Sequence, residues 1–391
     1  VSPVRVPITK PLFDDDDRRA IAQPLETGWV VQGPQVAEFE RRFAAFSRAP
    51  HALACTSCTT GLHLALAALG VGPGDEVLVP AFTWVATANV ALYCGATPVL
   101  CDVDPETFNV VPAEIERRLT PRTRAVIPVH LFGLPADMAA IETLTRPRGI
   151  AVVEDAACGF GARIGDRHVG TFGQAGAFSF HPRKALTTGE GGMVTTTDAA
   201  LDTTMRSLRD HGASKSDHAR HGNAGAFLLP EFNLLGFNYR MTDMQGALGV
   251  TQMAKADFVQ ARRTALAARY DALLADLPWL RTPKVPPGVT HGWQSYVCLY
   301  APEEPTLART AELSARRNAL MLRLEERGVS TRQGTHAVHT LTYYAQRYGL
   351  HAHDYPGAHR AEGLSLTLPL YPTMTEAEQD YVVEQLRAGG P

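Results

Sequence analysis

The sequence predicts an α/β fold, with a large part built on a mainly parallel sheet flanked by helices and a smaller C-terminal α/β part. Three observations predict it. From about residue 50, short apolar runs alternate with amphipathic stretches, as when strands buried on both faces are joined by crossover helices. Near Lys255–Leu277 an Ala/Arg/Leu pattern at helical spacing runs into Pro278 and the Pro-rich Thr282–Pro287, which reads as a connecting helix and a domain boundary. The chain of 391 residues also exceeds what one hydrophobic core accommodates. The expected division is an N-terminal arm over 1–15, a large domain over 16–254, and the connecting helix with a small C-terminal domain over 255–391.

In order, the expected strands are His51–Ala54, Glu76–Val79, Thr97–Cys101, Ala125–Pro128, Ala151–Val153, Ala175–Phe180 and Gly192–Thr196, all short and mostly apolar. Between them Gly61–Gly70, Trp84–Cys94, Ala113–Leu119 and Met138–Thr145 carry helical patterns. His211–Pro230 is polar and rich in Gly, Ser, His and Asn, hence a long loop of the kind that is functional or disordered.

Composition removes several classes of function. The net charge of −3 comes from interspersed acids and bases without a basic block, which argues against a nucleic-acid partner. No apolar stretch reaches membrane-spanning length, and Val1–Lys10 is broken by prolines rather than built as a charged region before an apolar core. The expectation is a soluble cytoplasmic protein with no membrane partner. Six scattered cysteines do not form a disulfide framework. Cys55 and Cys58 have the spacing of half a zinc knuckle, but no second pair follows, so structural thiols and no metal are expected.

Only five of the 37 basic residues are lysines, so each invites the question of what arginine cannot do in its place. An amine can lose its proton and attack a carbonyl; a guanidinium cannot. Lys10, Lys215, Lys255 and Lys284 fall on an arm, a polar loop, the connecting helix and a Pro-rich linker, where solvation is a sufficient role. Lys184 lies on a tight turn between two apolar strands. Desolvation there lowers an amine's pKa and suits it to Schiff-base chemistry; the alternative is a strand-end lysine paired with Glu190. Thirty positions upstream, Ile150-Ala-Val-Val-Glu-Asp155 reads as a buried strand ending in two acids at the sheet edge where α/β folds bind ligands. A carboxylate there can keep a pyridine nitrogen protonated, although a strand-end Asp also serves as a helix cap or metal ligand. Further upstream, Ala54-Cys-Thr-Ser-Cys-Thr-Thr-Gly61 joins a strand to an apolar helix, so hydroxyls and free amides at a helix N-terminus can take a phosphate or simply cap the helix. Trp84 is a candidate to stack on a planar ring, with core packing the plainer reading of a single tryptophan.

These features stand in the chain order of the fold-type I pyridoxal-phosphate enzymes. More narrowly, the chain resembles the DegT/DnrJ/EryC1/StrS family of sugar aminotransferases over nearly its whole length. The residues that carry the resemblance are Ser57-Cys-Thr-Thr-Gly-Leu62, Pro80-Ala-Phe-Thr-Trp84, Pro128-Val-His-Leu-Phe-Gly133, Glu154-Asp-Ala-Ala157, Phe178-Ser-Phe-His-Pro-Arg-Lys184, Thr188-Gly-Glu-Gly-Gly192 and Gly236-Phe-Asn-Tyr-Arg-Met241. It implies that Lys184 carries pyridoxal 5'-phosphate as a Schiff base, that Asp155 pairs with the ring nitrogen, and that Trp84 and Ala157 lie on the two ring faces. Cys58, Thr59 and Ser179 match phosphate-holding positions, and Asn238 one that reaches the phosphate from the neighbouring subunit of a homodimer. Two residues depart from the family pattern: Cys158 stands where Gln or His usually faces the ring hydroxyl, and Cys58 where the phosphate turn usually has Gly.

The resemblance further implies transfer of an amino group from glutamate to a 3- or 4-keto nucleotide sugar through pyridoxamine 5'-phosphate. His181, Arg332, His336 and His339 are the expected substrate-side residues.

Other readings remain open at this point. Related enzymes use pyridoxamine phosphate for sugar dehydration with histidine in place of the Schiff-base lysine, and Lys184 argues against that. A keto-cyclitol acceptor is not excluded. A non-catalytic regulator of the same fold is expected to lose Lys184 or Asp155, and both are present. A nicotinamide dehydrogenase is disfavoured because no Gly-x-Gly-x-x-Gly opens a helix after the first strand.

Overall fold

Seven strands build the main sheet of the computed structural model, which describes residues 5–214 and 230–391. They are β1 (His51–Cys55), β2 (Glu76–Pro80), β3 (Thr97–Cys101), β4 (Thr123–Val126), β5 (Ala151–Asp155), β6 (Ala175–Ser179) and β7 (Gly192–Thr196). The order across the sheet is β1-β7-β6-β5-β4-β2-β3. The pairs from β6 to β3 are parallel, and β7 runs antiparallel to both β1 and β6. All seven strands lie where the apolar runs predict them, with ends shifted by a few residues.

Side chains alternate between the faces, as the two-residue period of a strand requires. Leu53, Cys55, Val77, Val79, Val153, Ala177 and Val194 join one core cluster. It includes Leu62, Leu64 and Leu66 of α3 (Cys58–Ala68), Ala88 and Val90 of α4 (Ala86–Tyr93), and Met205 of α7 (Ala199–Arg209). Ala52, Ala54, Phe178 and Met193 face the opposite way, onto Phe39 and Phe43 of α2 (Pro34–Ser47) and Met253 of α8 (Asp243–Ala254). Between α4 and α7 lie α5 (Pro112–Arg118) and α6 (Met138–Thr145).

The helices before β1 add to what the sequence pattern predicts. In α1 (Asp15–Thr27), Asp14 and Asp17 cap each other's backbone in a capping box, and Pro24 inside the helix obscures its periodicity. The connecting helix also differs: α9 (Ala256–Leu273) begins one residue after Lys255, which is a non-helical joint behind α8. Lys255 is not a solvated lysine. It ion-pairs with Asp14 at 2.8 Å and with buried Asp17, tying this joint to the start of α1.

Beyond α9, β8 (Tyr296–Tyr300) pairs antiparallel with Leu280–Arg281 and with β9 (Ser365–Leu368). Tyr270 of α9, Leu320 of α10 (Thr310–Glu326) and Val382 of α13 (Glu376–Gly389) pack with this sheet into a second core. Two shorter helices, α11 (Thr342–Tyr348) and α12 (Pro356–Leu364), precede β9. Val6 is fully buried in the second core, and its backbone pairs with Gly328 and Ser330. Most of the polar stretch His211–Pro230, including Lys215, lies outside the described residues.

Candidate active site

The site lies at the carboxyl ends of the central strands. Asp155 closes β5 with the same parity as Val153, so its side chain faces α3 and α4; Glu154 faces the other way. Asp155 is buried, with Thr87 Oγ1 donating to Oδ2 at 2.8 Å and the Ala157 amide to Oδ1 at 3.1 Å. Cys58 Sγ lies 3.9 Å from Oδ1 and donates to the Ala177 carbonyl at 3.3 Å. Burial and then the Asp155 charge push the Cys58 thiol well up, so it remains a proton donor.

Glu154 is fully buried and fully engaged. It accepts the amides of Gly170, Phe172 and Gly173 at 2.6, 2.6 and 2.8 Å and pairs with His130 Nε2 at 2.9 Å. The Ala136 amide donates to His130 Nδ1, so Nε2 carries the proton and the imidazole is neutral. Of the two acids, only Asp155 is turned towards the candidate site.

Lys184 lies on the turn between β6 and β7, with Nζ 3.3 Å from Cys158 Sγ. Desolvation pulls its pKa down, but Cys158, Cys58 and Asp155 together outweigh that cost and hold it above the ordinary lysine value. This corrects the expectation from burial alone. No ion pair joins Lys184 to Asp155 or to Glu190 among the described residues. A buried carboxylate and a half-buried lysine thus share a neighbourhood without a direct ion pair among the described residues.

The anion cradle follows from strand register. Cys55 of β1 stands opposite Gly192 of β7, which stands opposite Ser179 of β6. A Cβ on Gly192 would sit 2.3 Å from the Ser57 carbonyl carbon and 2.7 Å from the Cys58 nitrogen, so the turn and strand approach this closely only with glycine there. Ser57 caps α3 through the Thr60 amide, and Thr60 returns the bond to the Ser57 amide. The Cys58 and Thr59 amides open the helix, with no helical carbonyl one turn behind them.

Trp84 is 60% exposed, which overturns core packing as its role. His336 is brought to it because His336–Ala337 pairs antiparallel with Phe82–Thr83, leaving the rings 5.9 Å apart. Arg332 is exposed and paired through its backbone with Thr367. His181 is half-buried, and its Nδ1 accepts the Arg183 amide, so part of its role is to shape the lysine turn. His339 does not join the substrate-side set: it is fully buried, with its ring against Tyr355 and Nε2 near the Ala352 carbonyl. Asn238 is exposed, and its neighbour Tyr239 accepts the Thr56 amide through its carbonyl.

Two contributors are not legible as site residues in the sequence. Thr87 lies three residues after Trp84, the only available hint, and Gln294 reaches the Arg183 carbonyl at 3.0 Å from a distant segment. The donor set fits pyridoxal 5'-phosphate: an amine, a buried carboxylate with no bonded cation among the described residues, an exposed indole and a helix N-terminus. Among the described residues there is no cluster of metal-binding side chains and no helix long and apolar enough to cross a membrane.

The chain is similar to known proteins over nearly its whole length. The model of the DegT/DnrJ/EryC1/StrS aminotransferase family matches residues 11–387. The spore coat polysaccharide biosynthesis protein SpsC of Bacillus subtilis is 38% identical over 98% of this chain and 96% of its own. The aminotransferase TlmJ of Streptoalloteichus hindustanus superposes with a TM-score of 0.88 at 32% identity, covering 98% of both chains. A candidate sugar aminotransferase of Streptococcus pneumoniae, Spr1654 in its PMP form, reaches 0.90 at 26% identity over 98% of this chain and 99% of its own.

Proposed function

The chain belongs to the DegT/DnrJ/EryC1/StrS aminotransferase family, whose enzymes depend on pyridoxal 5'-phosphate, and on that premise we propose that it aminates a 3- or 4-keto nucleotide sugar with glutamate as donor. The observation that carries the assignment of residues is the placement of half-buried Lys184, held by Cys158, in the same neighbourhood as buried Asp155, held by Thr87.

When bound, the cofactor supplies a carbonyl for an amine and a protonated ring that accepts electrons. Lys184 Nζ would hold the cofactor through that carbonyl, and as a free amine it would serve as the base that moves a proton from the donor's α-carbon. Asp155, oriented by Thr87 and Ala157, holds the proton on the ring nitrogen. The Cys58 and Thr59 amides, with Ser179, bind the phosphate at the positive end of α3. Trp84 would cover one ring face and exclude water, a burial worth roughly 2 kcal/mol, with Ala157 towards the other face. Asn238 completes the phosphate site from the second subunit of a homodimer, while Arg332, His336 and His181 line the acceptor side. In the proposed reaction glutamate and water would give 2-oxoglutarate, with the amino group retained by the cofactor, and the same groups would serve in reverse order on the sugar ketone, releasing water and yielding an amino sugar.

The test is the visible spectrum of the purified protein with added pyridoxal phosphate, beside Lys184→Ala. A Schiff-base band that requires Lys184, bleaches with glutamate and returns with one member of a panel of keto nucleotide sugars is the expected result. No band in the wild-type protein would remove the assignment of Lys184; a band that never returns with any keto nucleotide sugar would remove that acceptor class.

A further inference from the structure

Building on the reading of Lys184 as the cofactor lysine, we infer that Cys158 is a positioning residue for it, with a sulfur that accepts a hydrogen bond from the ammonium and so governs how readily the amine reacts. Nζ and Sγ lie 3.3 Å apart, and Cys158 is the hydrogen-bond partner of Nζ among the described residues. Both backbones are pinned. The Cys158 turn is held by the Ala156 amide on the Ala177 carbonyl at 2.9 Å and the Gly159 amide on the Ala156 carbonyl at 2.8 Å. The Lys184 turn is held by its own amide on the His181 carbonyl at 2.8 Å and by Gln294 on the Arg183 carbonyl at 3.0 Å. The side-chain contact therefore joins two fixed supports.

The other groups around the amine do not replace that sulfur. Asp155, from β5, is engaged by Thr87 and Ala157; Cys58, from α3, donates to Ala177; His181, on the lysine's own turn, accepts the Arg183 amide. Arg183 and Glu190 on the same loop are exposed. Sulfur is a weak, polarisable acceptor, so it orients an ammonium without holding it as tightly as a carboxylate does. The sign follows: burial disfavours the charged amine and the acceptors oppose burial, so removing the sulfur frees the amine at lower pH.

The test uses the cofactor-free protein and an amine-acylating reagent. Labelling of Lys184 is followed by peptide mass across pH, with exposed Lys284 as internal reference, in wild type, Cys158→Ala, Cys158→Val, Cys158→Ser and Cys58→Ala. The midpoint for Lys184 is expected to move to lower pH in the Ala and Val variants, with faster labelling near neutrality, and to return part of the way in Cys158→Ser. Valine fills the sulfur's volume without accepting a hydrogen bond, so whichever of Ala and Val folds decides the matter. An unmoved midpoint, or an equal shift in Cys58→Ala, overturns the inference. A missing Schiff-base band in wild type instead overturns the reading of Lys184, so the two failures are distinguishable.

Discussion

Two adjacent carboxylates at the end of β5 illustrate how one peptide unit separates structure from chemistry. Glu154 is saturated by three amides and a neutral histidine, whereas Asp155 has a hydroxyl, an amide and a thiol but no bonded cation. Replacing each by its amide is therefore expected to give opposite phenotypes. Glu154→Gln turns donors towards donors and costs about 1–3 kcal/mol, read as a lower urea midpoint with the Schiff-base band retained. Asp155→Asn keeps the fold and lowers kcat by about a hundredfold or more, the cost of losing one electrostatic partner of the reacting system. A stable Glu154→Gln variant with lost activity would reverse the assignment.

At the scale of elements, the proposed phosphate cradle depends on one helix end meeting one strand end. The capping box of Ser57 and Thr60 sets the first turn of α3, and Gly192 lets that turn lie against β7. Ser57→Ala removes a cap worth about 1 kcal/mol, so thermal unfolding is expected about 2 °C lower. Because the same turn aims the Cys58 and Thr59 amides, the variant should also bind pyridoxal phosphate more weakly in a fluorescence titration. Unchanged affinity would place the phosphate elsewhere.

At the scale of the molecule, exposed apolar residues gather beside the site. Phe232, Leu234 and Leu235 are 60, 44 and 91% exposed, a few positions before Asn238. The proposed homodimer, in which Asn238 serves the second subunit's site, gives this strip a partner to cover it. Leu235→Asp is expected to shift the protein towards monomer in analytical ultracentrifugation and to weaken cofactor retention with it. A wild-type protein that remains monomeric at micromolar concentration would exclude the shared site.

The sequence by itself determined the seven strands, the lysine turn and the acid-ended strand, because these are local: apolar runs, glycines and turn residues act on their neighbours in the chain. It also carried the family, since the short motifs keep their order. The resemblance already singled out Asp155; tertiary structure supplied the reason Glu154 is turned away from the candidate site, because strand parity matters only once the helices on each face are known. It also exposed Trp84, buried His339, tied Lys255 to Asp14 and Asp17, and brought Gln294 to the lysine turn. Those contacts join residues far apart in sequence, and no local propensity encodes a meeting that only the packing of distant elements creates.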